Sequence, residues 1–315
     1  MSAVPEARLS RAQRPAPIRE RIDGVLLLDK PRGLSSNQAM LTARRLLGAA
    51  KAGHGGTLDP MASGLLPVLF GEATKFAHDL LEADKTYLAT LRLGETSSTG
   101  DAEGTLTPTG RSLPDERALR AALDRFTGLV TQRPPMHSAL KHQGRPLYEY
   151  ARSGIEIERA LREVTIHKLE LLSIEGDTAQ IRVACSKGTY VRTLAQDIGE
   201  AAGCGAWLAD LRREAVDTLL INDAVSLERL EGLPLAERRA RLTPLDRLLR
   251  RLPQIELDAE AARRLTQGQR LRVAPRTDSL PERVRVYHAD RLLGVAMLES
   301  GVLIPERLVA APADC

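Results

Sequence analysis

Val164-Thr165-Ile166-His167-Lys168-Leu169-Glu170-Leu171-Leu172-Ser173-Ile174-Glu175-Gly176-Asp177-Thr178-Ala179-Gln180-Ile181-Arg182-Val183-Ala184-Cys185 reads as two apolar runs on either side of Gly176-Asp177. The second run alternates, with Ala179, Ile181, Val183 and Cys185 on one face against Gln180 and Arg182 on the other, the period of a strand with one buried face. A Gly-Asp turn between two such runs predicts an antiparallel hairpin. Lys187-Gly188-Thr189-Tyr190 follows as a turn, and Val191, Leu194, Ala195, Ile198 and Ala202 then recur at helical spacing. Hairpins mixed with helices, without strict strand–helix alternation, indicate an α+β fold with a mixed, largely antiparallel sheet.

The same reading extends outward in both directions. Tyr87, Ala89, Leu91 and Leu93 alternate with Leu88, Thr90 and Arg92, as a half-buried strand requires. Val25-Leu26-Leu27-Leu28 suits a buried strand, and Ser35 or Ser36 then caps a helix carrying Ala39, Met40, Ala43, Leu46 and Leu47. Pro67 puts the run Leu65–Phe70 at a strand start or an edge. Residues 94–110 read as a long polar loop, and Leu119, Ala122, Leu123 and Phe126 as an amphipathic helix ended by Gly128. Residues 133–162, with Pro134-Pro135, Tyr148, Tyr150 and several cations, read as an insertion between core elements. After Pro253 the short runs Leu271–Val273, Arg283–Tyr287, Leu293–Leu298 and Val302–Ile304 predict a small all-β, barrel-like module. Three segments are expected: a disordered basic tail over 1–22, a main domain over 23–250, and the module over 251–315.

Composition narrows the function classes. A length of 315 residues exceeds the ~100–200 of one typical domain, in keeping with a large domain plus a small one. No run approaches the ~18–20 apolar residues of a membrane span, and the first residues lack the apolar core of a secretory signal. A cytoplasmic location and no membrane association are expected. Cys185, Cys204 and Cys315 are widely spaced and show no zinc spacing, so free thiols and no metal are expected. An isoelectric point near 9.1 gains meaning from clustering: Arg8, Arg11, Arg14, Arg19 and Arg21 in the tail, and Arg133, Lys141, Arg145, Arg152, Arg159 and Arg162 in the insertion. Such clusters suit a polyanion. Aromatic residues make up only 3%, which argues against an open sheet that stacks splayed bases.

Gly53-His54-Gly55-Gly56-Thr57-Leu58-Asp59-Pro60-Met61-Ala62-Ser63-Gly64-Leu65-Leu66-Pro67 places one carboxylate, Asp59, on a loop stiffened by proline and shaped by glycine. This loop, together with Gly24–Pro31, Asp84-Lys85-Thr86-Tyr87 and Cys185–Leu194 in this order and at these separations, closely resembles the TruB family of tRNA pseudouridine synthases, bacterial type. The likeness runs from about residue 23 to 250. The final module is similar to the PUA-type RNA-binding domain that ends these enzymes.

The resemblance implies a pseudouridine synthase fold and an isomerase that turns uridine 55, in the T-loop of tRNA, into pseudouridine by base flipping, glycosidic cleavage and reattachment through C5. It implies no metal and no cofactor, tRNA bound through its T-arm, and a monomer. Asp59 falls on the family's catalytic aspartate and is assigned as nucleophile; attack at C1′, attack at C6 and removal of a sugar proton all remain open. Arg192 matches the arginine that keeps the carboxylate ionised, with a bidentate pair possible. Tyr87 matches the tyrosine that packs on the uracil and handles a late proton transfer. Tyr190 and Leu211 match residues lining the uracil pocket, and His54 a histidine at the place the base vacates. Lys30 matches the lysine ending the first motif, where a structural ion pair is expected. The insertion corresponds to the family's RNA-gripping thumb. Two departures fall in RNA-facing segments: His137 where a tyrosine is expected, and Gly55 where a threonine is common. A factor that opens the T-arm without chemistry is the competing reading, and the set Asp59, Tyr87 and Arg192 favours the enzyme.

Overall fold

The computed structural model describes residues 19–138, 140–273 and 281–310, and the tail expected over 1–22 lies outside them up to residue 18. Glu20 and Arg21 are tied to the body, Glu20 by a backbone bridge to Ala49 and a 2.7 Å pair with Arg239, Arg21 by a 3.3 Å pair with Glu72. Strand β1 (Gly24–Lys30) is buried on both faces, with Val25 and Leu27 in one apolar cluster and Leu26 and Leu28 in another. Helix α1 (Ser36–Leu47) settles the cap: Ser35 Oγ accepts the Gln38 N–H at 3.2 Å, and the Gln38 side chain returns a bond to the Ser35 N–H, a capping box. Ser36 is used differently. Its Oγ accepts the Leu58 N–H at 2.7 Å and donates to the Leu58 carbonyl at 2.9 Å, tying the helix to the loop that carries Asp59.

Strands β2 (Ala52–His54) and β3 (Ser63–Phe70) flank that loop, and β3 lies inside the sheet, contrary to the edge expected from Pro67. The Pro67 carbonyl accepts the Gly55 N–H at 3.1 Å, so the missing N–H of Pro67 also faces away from β1. On that side the partner of β3 changes from β2 to β12, and no ladder bond is lost. Helix α2 (Ala77–Glu82) precedes β4 (Lys85–Leu93), whose alternation is as expected. The polar segment 94–110 contains a small hairpin, β5 (Glu95–Ser97) with β6 (Leu106–Pro108). Helix α3 (Glu116–Asp124), capped by Asp115, ends before Gly128, which instead begins β7 (Gly128–Gln132). Within the insertion, β8 (Lys141–His142) and β9 (Arg145–Pro146) form a hairpin that leads into α4 (Leu147–Arg152).

The hairpin that opened the reading is β10 (Arg162–Glu175) and β11 (Thr178–Cys185), closed at Glu175↔Thr178. Helix α5 (Val191–Ala201) and β12 (Ala206–Val216) follow, then β13 (Leu219–Leu220), β14 (Val225–Ser226), α6 (Leu227–Gly232) and α7 (Leu235–Arg239). The strand order is β14-β1-β3-β12-β4-β11-β10-β7, antiparallel except for β1/β14 and β3/β12. The fold class is therefore α+β with a mixed, largely antiparallel sheet. Leu58, Met61 and Ala62 sink into the cluster that α5 makes with β4, β11 and β12, which anchors the Asp59 loop on both sides of the aspartate.

The C-terminal part is a curled sheet, β15-β17-β18-β19-β16, from β15 (Gln254–Glu256), β16 (Leu271–Arg272), β17 (Glu282–His288), β18 (Arg291–Glu299) and β19 (Val302–Leu308). It is not all-β. Helix α8 (Ala259–Thr266), capped by Asp258, buries Ala262 and Leu265 against the sheet. The run Ala259-Glu260-Ala261-Ala262-Arg263-Arg264-Leu265 consists of strong helix formers. Tyr287, Leu292 and Val295 join the cluster holding Val25, Leu27 and Leu69, so the two sheets share a core.

Gly55 has a steric cause of its own. A Cβ there would lie 2.2 Å from Leu80 Cδ1 and 2.6 Å from Leu80 Cβ, so the side chain of Leu80, 1% exposed, fills the space a threonine would need. Gly55 and Gly56 are both buried; packing requires the first, and φ at +98° suits glycine at the second. Gly55→Thr is expected to destabilise the protein by ~1–3 kcal/mol in urea unfolding, as overpacking does. Adding Leu80→Ala is expected to recover part of that loss, and strict additivity of the two changes would contradict the contact.

Candidate active site

Asp59, Tyr87, Tyr190, Arg192 and Leu211 converge on one cavity of about 310 Å³, between the β2–β3 loop, β4, β12 and the start of α5. Asp59 sits in a tight turn closed by the Ala62 N–H on the Asp59 carbonyl at 3.1 Å. Its side chain is 45% exposed, enough for a substrate to reach the carboxylate. Arg192, on the first turn of α5, has a side chain only 8% exposed, and its Nη2 lies 3.1 Å from Asp59 Oδ2.

The pair is not bidentate. The guanidinium is shared: Nη1 donates to Asp101 Oδ2 at 3.0 Å, and Nη2 also donates to the His137 carbonyl at 2.6 Å. Asp101, 3% exposed, is further held by Thr99 Oγ1 at 2.6 Å and the Glu103 N–H at 3.0 Å, both donating to its Oδ1. Asp101 was not singled out from sequence, where it is one acid in a polar loop. The departure at His137 is of little consequence to Arg192, because the contact uses the backbone carbonyl, which any residue supplies.

Tyr87 lies on β4 directly opposite Arg213 of β12. Burial pushes its hydroxyl above the ordinary tyrosine range, and the Arg213 guanidinium beside it works in the other direction. Tyr190 precedes α5, where its N–H donates to Gln132 Oε1 at 3.1 Å, and burial pushes its hydroxyl up as well. Leu211, 9% exposed, belongs both to the main core and to the cavity wall.

Two expected site residues lie outside the lining of this cavity. His54 is on β2 with Nδ1 buried and without a hydrogen-bond partner among the described residues; burial and then the Arg213 charge lower its pKa, favouring the neutral ring. Lys30 is fully buried and makes no ion pair among the described residues, contrary to expectation. Its Nζ donates to the carbonyls of Pro31 at 2.9 Å and Leu34 at 2.7 Å, because two backbone acceptors lie in reach and Asp59 is too far for contact. Burial pulls it down to about 8, partly offset by the Asp59 charge. Lys85, on the cavity wall, is likewise pulled down to about 8 by burial while donating to the Leu81 and Ala83 carbonyls.

Comparison with known proteins agrees with this geometry. The tRNA pseudouridine synthase B of Burkholderia mallei is 58% identical over 305 residues, 95% of this chain and 98% of that protein. The chain belongs to the TruB family of pseudouridine synthases. The description "TruB family pseudouridylate synthase (N terminal domain)" matches residues 44–191, "tRNA pseudouridylate synthase B C-terminal domain" residues 192–252, and "Pseudouridine synthase II TruB, C-terminal" residues 253–309. The tRNA pseudouridine synthase B of Aromatoleum aromaticum is 55% identical, covering 93% of this chain and 94% of its own. Among solved structures, a chain of a Cbf5-Nop10-Gar1 complex matches with a TM-score of 0.65 at 26% identity, over 94% of this chain and 84% of its own. A chain of the archaeal box H/ACA sRNP Nop10-Cbf5 complex has the same fold, with a TM-score of 0.70 at 24% identity, over 98% of this chain and 92% of its own. Within this TruB-family site the acidic partners of Arg192 come from two distant segments.

Asp101→Ala removes a nearly fully buried partner from a buried cation and is expected to cost about 3 kcal/mol in urea unfolding; a cost below ~1 kcal/mol would contradict the pairing. Lys30 predicts a pH effect of definite sign. Its folded value of about 8 lies below the ordinary 10.5, so between those values the unfolded chain binds more protons, and this group's contribution to stability rises with pH. Unfolding measured at about pH 8 and about pH 9.5 should therefore show a more favourable change in the unaltered protein than in Lys30→Met. Equal changes would contradict a buried, strained ammonium.

Proposed function

We propose that this chain converts uridine 55 in the T-loop of tRNA to pseudouridine, with Asp59 as the nucleophile. The observation that carries the reading is an accessible carboxylate held by the nearly buried Arg192 in a cavity that also holds Tyr87. A surface carboxylate needs no such support; one that must stay ionised beside a departing anion and a polyanionic substrate does.

The chemistry follows from what the bond requires. The uridine leaves its stack and enters the cavity, at a cost of a few kcal/mol for lost stacking. His54, near the loop, takes the vacated place. The C1′–N1 bond breaks with its electron pair going to the uracil, and Asp59 meets the developing positive charge by attack at C1′, by attack at C6, or by removing a sugar proton. The base turns and C5 bonds to C1′. C5 then carries one hydrogen too many; the proton leaves for the Tyr87 oxygen, whose own phenolic proton has gone to solvent water, and the electron pair restores the C5–C6 double bond. Tyr190 and Leu211 hold the ring, and Lys30 braces the first motif. Atoms are only rearranged, so the reaction itself calls for no redox cofactor or metal.

Residues 133–162 serve as the thumb that grips the T-arm. Arg133, Lys141, Arg145, Arg152 and Arg162 are exposed there, as phosphate contacts require. The base of this segment reaches the cavity through the His137 carbonyl on Arg192 and through Ser138 on the wall, which links grip to chemistry. The curled C-terminal sheet acts as a PUA-type RNA-binding module, and the enzyme works as a cytoplasmic monomer.

Asp59→Asn keeps the shape and removes the charge. Pseudouridine formation is expected to fall by at least ~10³-fold, the scale for a group acting in the transition state, while tRNA affinity changes little. Persistent product formation by this variant, measured on purified tRNA, would sink the assignment of Asp59.

A further inference from the structure

Arg213 is a buried cation with no acid beside it among the described residues. It is 1% exposed, and among the described residues its hydrogen bonds go to backbone carbonyls, with Tyr87 opposite it across the strands. Nε donates to the Leu65 carbonyl at 2.7 Å and Nη2 to the Gly56 carbonyl at 3.2 Å. Those carbonyls lie on either side of Asp59, so one planar fork spans the loop that carries it. Glycines shape the approach on both sides. Gly64 pairs with Arg213 across β3 and β12, and a Cβ on it would lie 2.4 Å from the Arg213 carbonyl oxygen. At Gly56 a Cβ would sit 3.4 Å from Nη1, with φ at +98°, a conformation that suits glycine. On the other side β12 pairs with β4, and there Arg213 stands opposite Tyr87.

Burying a guanidinium without a carboxylate is costly, and a neutral residue of similar volume is often the more stable choice. Backbone carbonyls alone would accept from a neutral donor. A full charge is used where negative charge develops, and the group across the strands from Arg213 that can carry one is the Tyr87 oxygen.

We propose that Arg213 is a positioning residue whose fork fixes both flanks of the Asp59 loop and whose charge supports the Tyr87 oxygen as it accepts the C5 proton. The inference rests on the reading of Tyr87 as that acceptor. Arg213 from β12 favours a charged Tyr87 oxygen; burial, the Cys185 thiol of β11 and Asp59 from the loop oppose it, and Lys85 from β4 faces Arg213. Removing the cation therefore makes Tyr87 harder to deprotonate, so activity should fall by a similar factor wherever the hydroxyl is mostly protonated.

The test compares Arg213→Met, Arg213→Lys and Tyr87→Phe in single turnovers on a T-arm RNA from about pH 6 to about pH 9.5, with KM and thermal melting measured in parallel. Arg213→Met is expected to lose ~100-fold in rate, within the range of a proton-transfer contribution, with KM nearly unchanged and the loss holding across this pH range, where the Tyr87 hydroxyl is mostly protonated in both proteins. Arg213→Lys keeps the charge and loses the fork, so a smaller loss with an unshifted pH profile is expected. An Arg213→Met enzyme as fast as the unaltered protein, an Arg213→Met loss that appears as a raised KM, or an Arg213→Lys enzyme that loses as much as Arg213→Met would overturn the proposal. If Arg213→Met does not fold, Arg213→Lys decides: a lower rate at unchanged KM supports the proposal, and a raised KM at unchanged rate overturns it. Tyr87→Phe separates the two readings, because product formation by that variant refutes Tyr87 as acceptor whatever the Arg213 variants do.

Discussion

One guanidinium organises the site. Arg192 reaches the β2–β3 loop through Asp59, the segment after β4 through Asp101, and the insertion through the His137 carbonyl. Each partner comes from a different part of the chain, and each on its own is an ordinary polar contact. Together they fill a rigid fork, whose planar geometry loses little freedom on binding. The arrangement holds the Asp59 carboxylate at an end still open to solvent, while Asp101 on the closed side balances the charge that burial would otherwise penalise.

The rest of the molecule can be understood as support for that contact. Leu58, Met61 and Ala62 pin the loop into the main core, and the Ser36 hydroxyl clasps Leu58 by both backbone groups. Arg213 holds the far side of the loop through Gly56 and Leu65. The insertion meets Arg192 through a carbonyl at its base, so a shift of that segment has a short physical route to the carboxylate.

Much of this was legible in the sequence, for a physical reason. Strands and helices betray themselves by period, and the hairpin at 164–185, the strand at Tyr87 and helix α5 all follow it. Asp59, Tyr87, Tyr190, Arg192 and Leu211 converge as the motif order suggested. What escaped lacks a local signature. Asp101 is one acid in a loop until folding brings it against Arg192, and Arg213 looks like its neighbour Arg212, which instead pairs with Asp29 at 2.7 Å. Pro67 misled because its side of the strand depends on which neighbour it faces, and Lys30 because backbone carbonyls, invisible in sequence, replaced the expected acid. Helix α8 has only eight residues and lies among short strand-like runs whose period masks its own.

An enzyme and a factor that merely opens the T-arm differ at one atom, the hydrogen on C5 of the target uridine. Incubating the purified protein with tRNA carrying tritium at C5 of its uridines, and following tritium released to water, reads that atom directly. One equivalent released per tRNA, with pseudouridine appearing at nucleotide 55, is the expected result. Tight tRNA binding without any release would contradict the account.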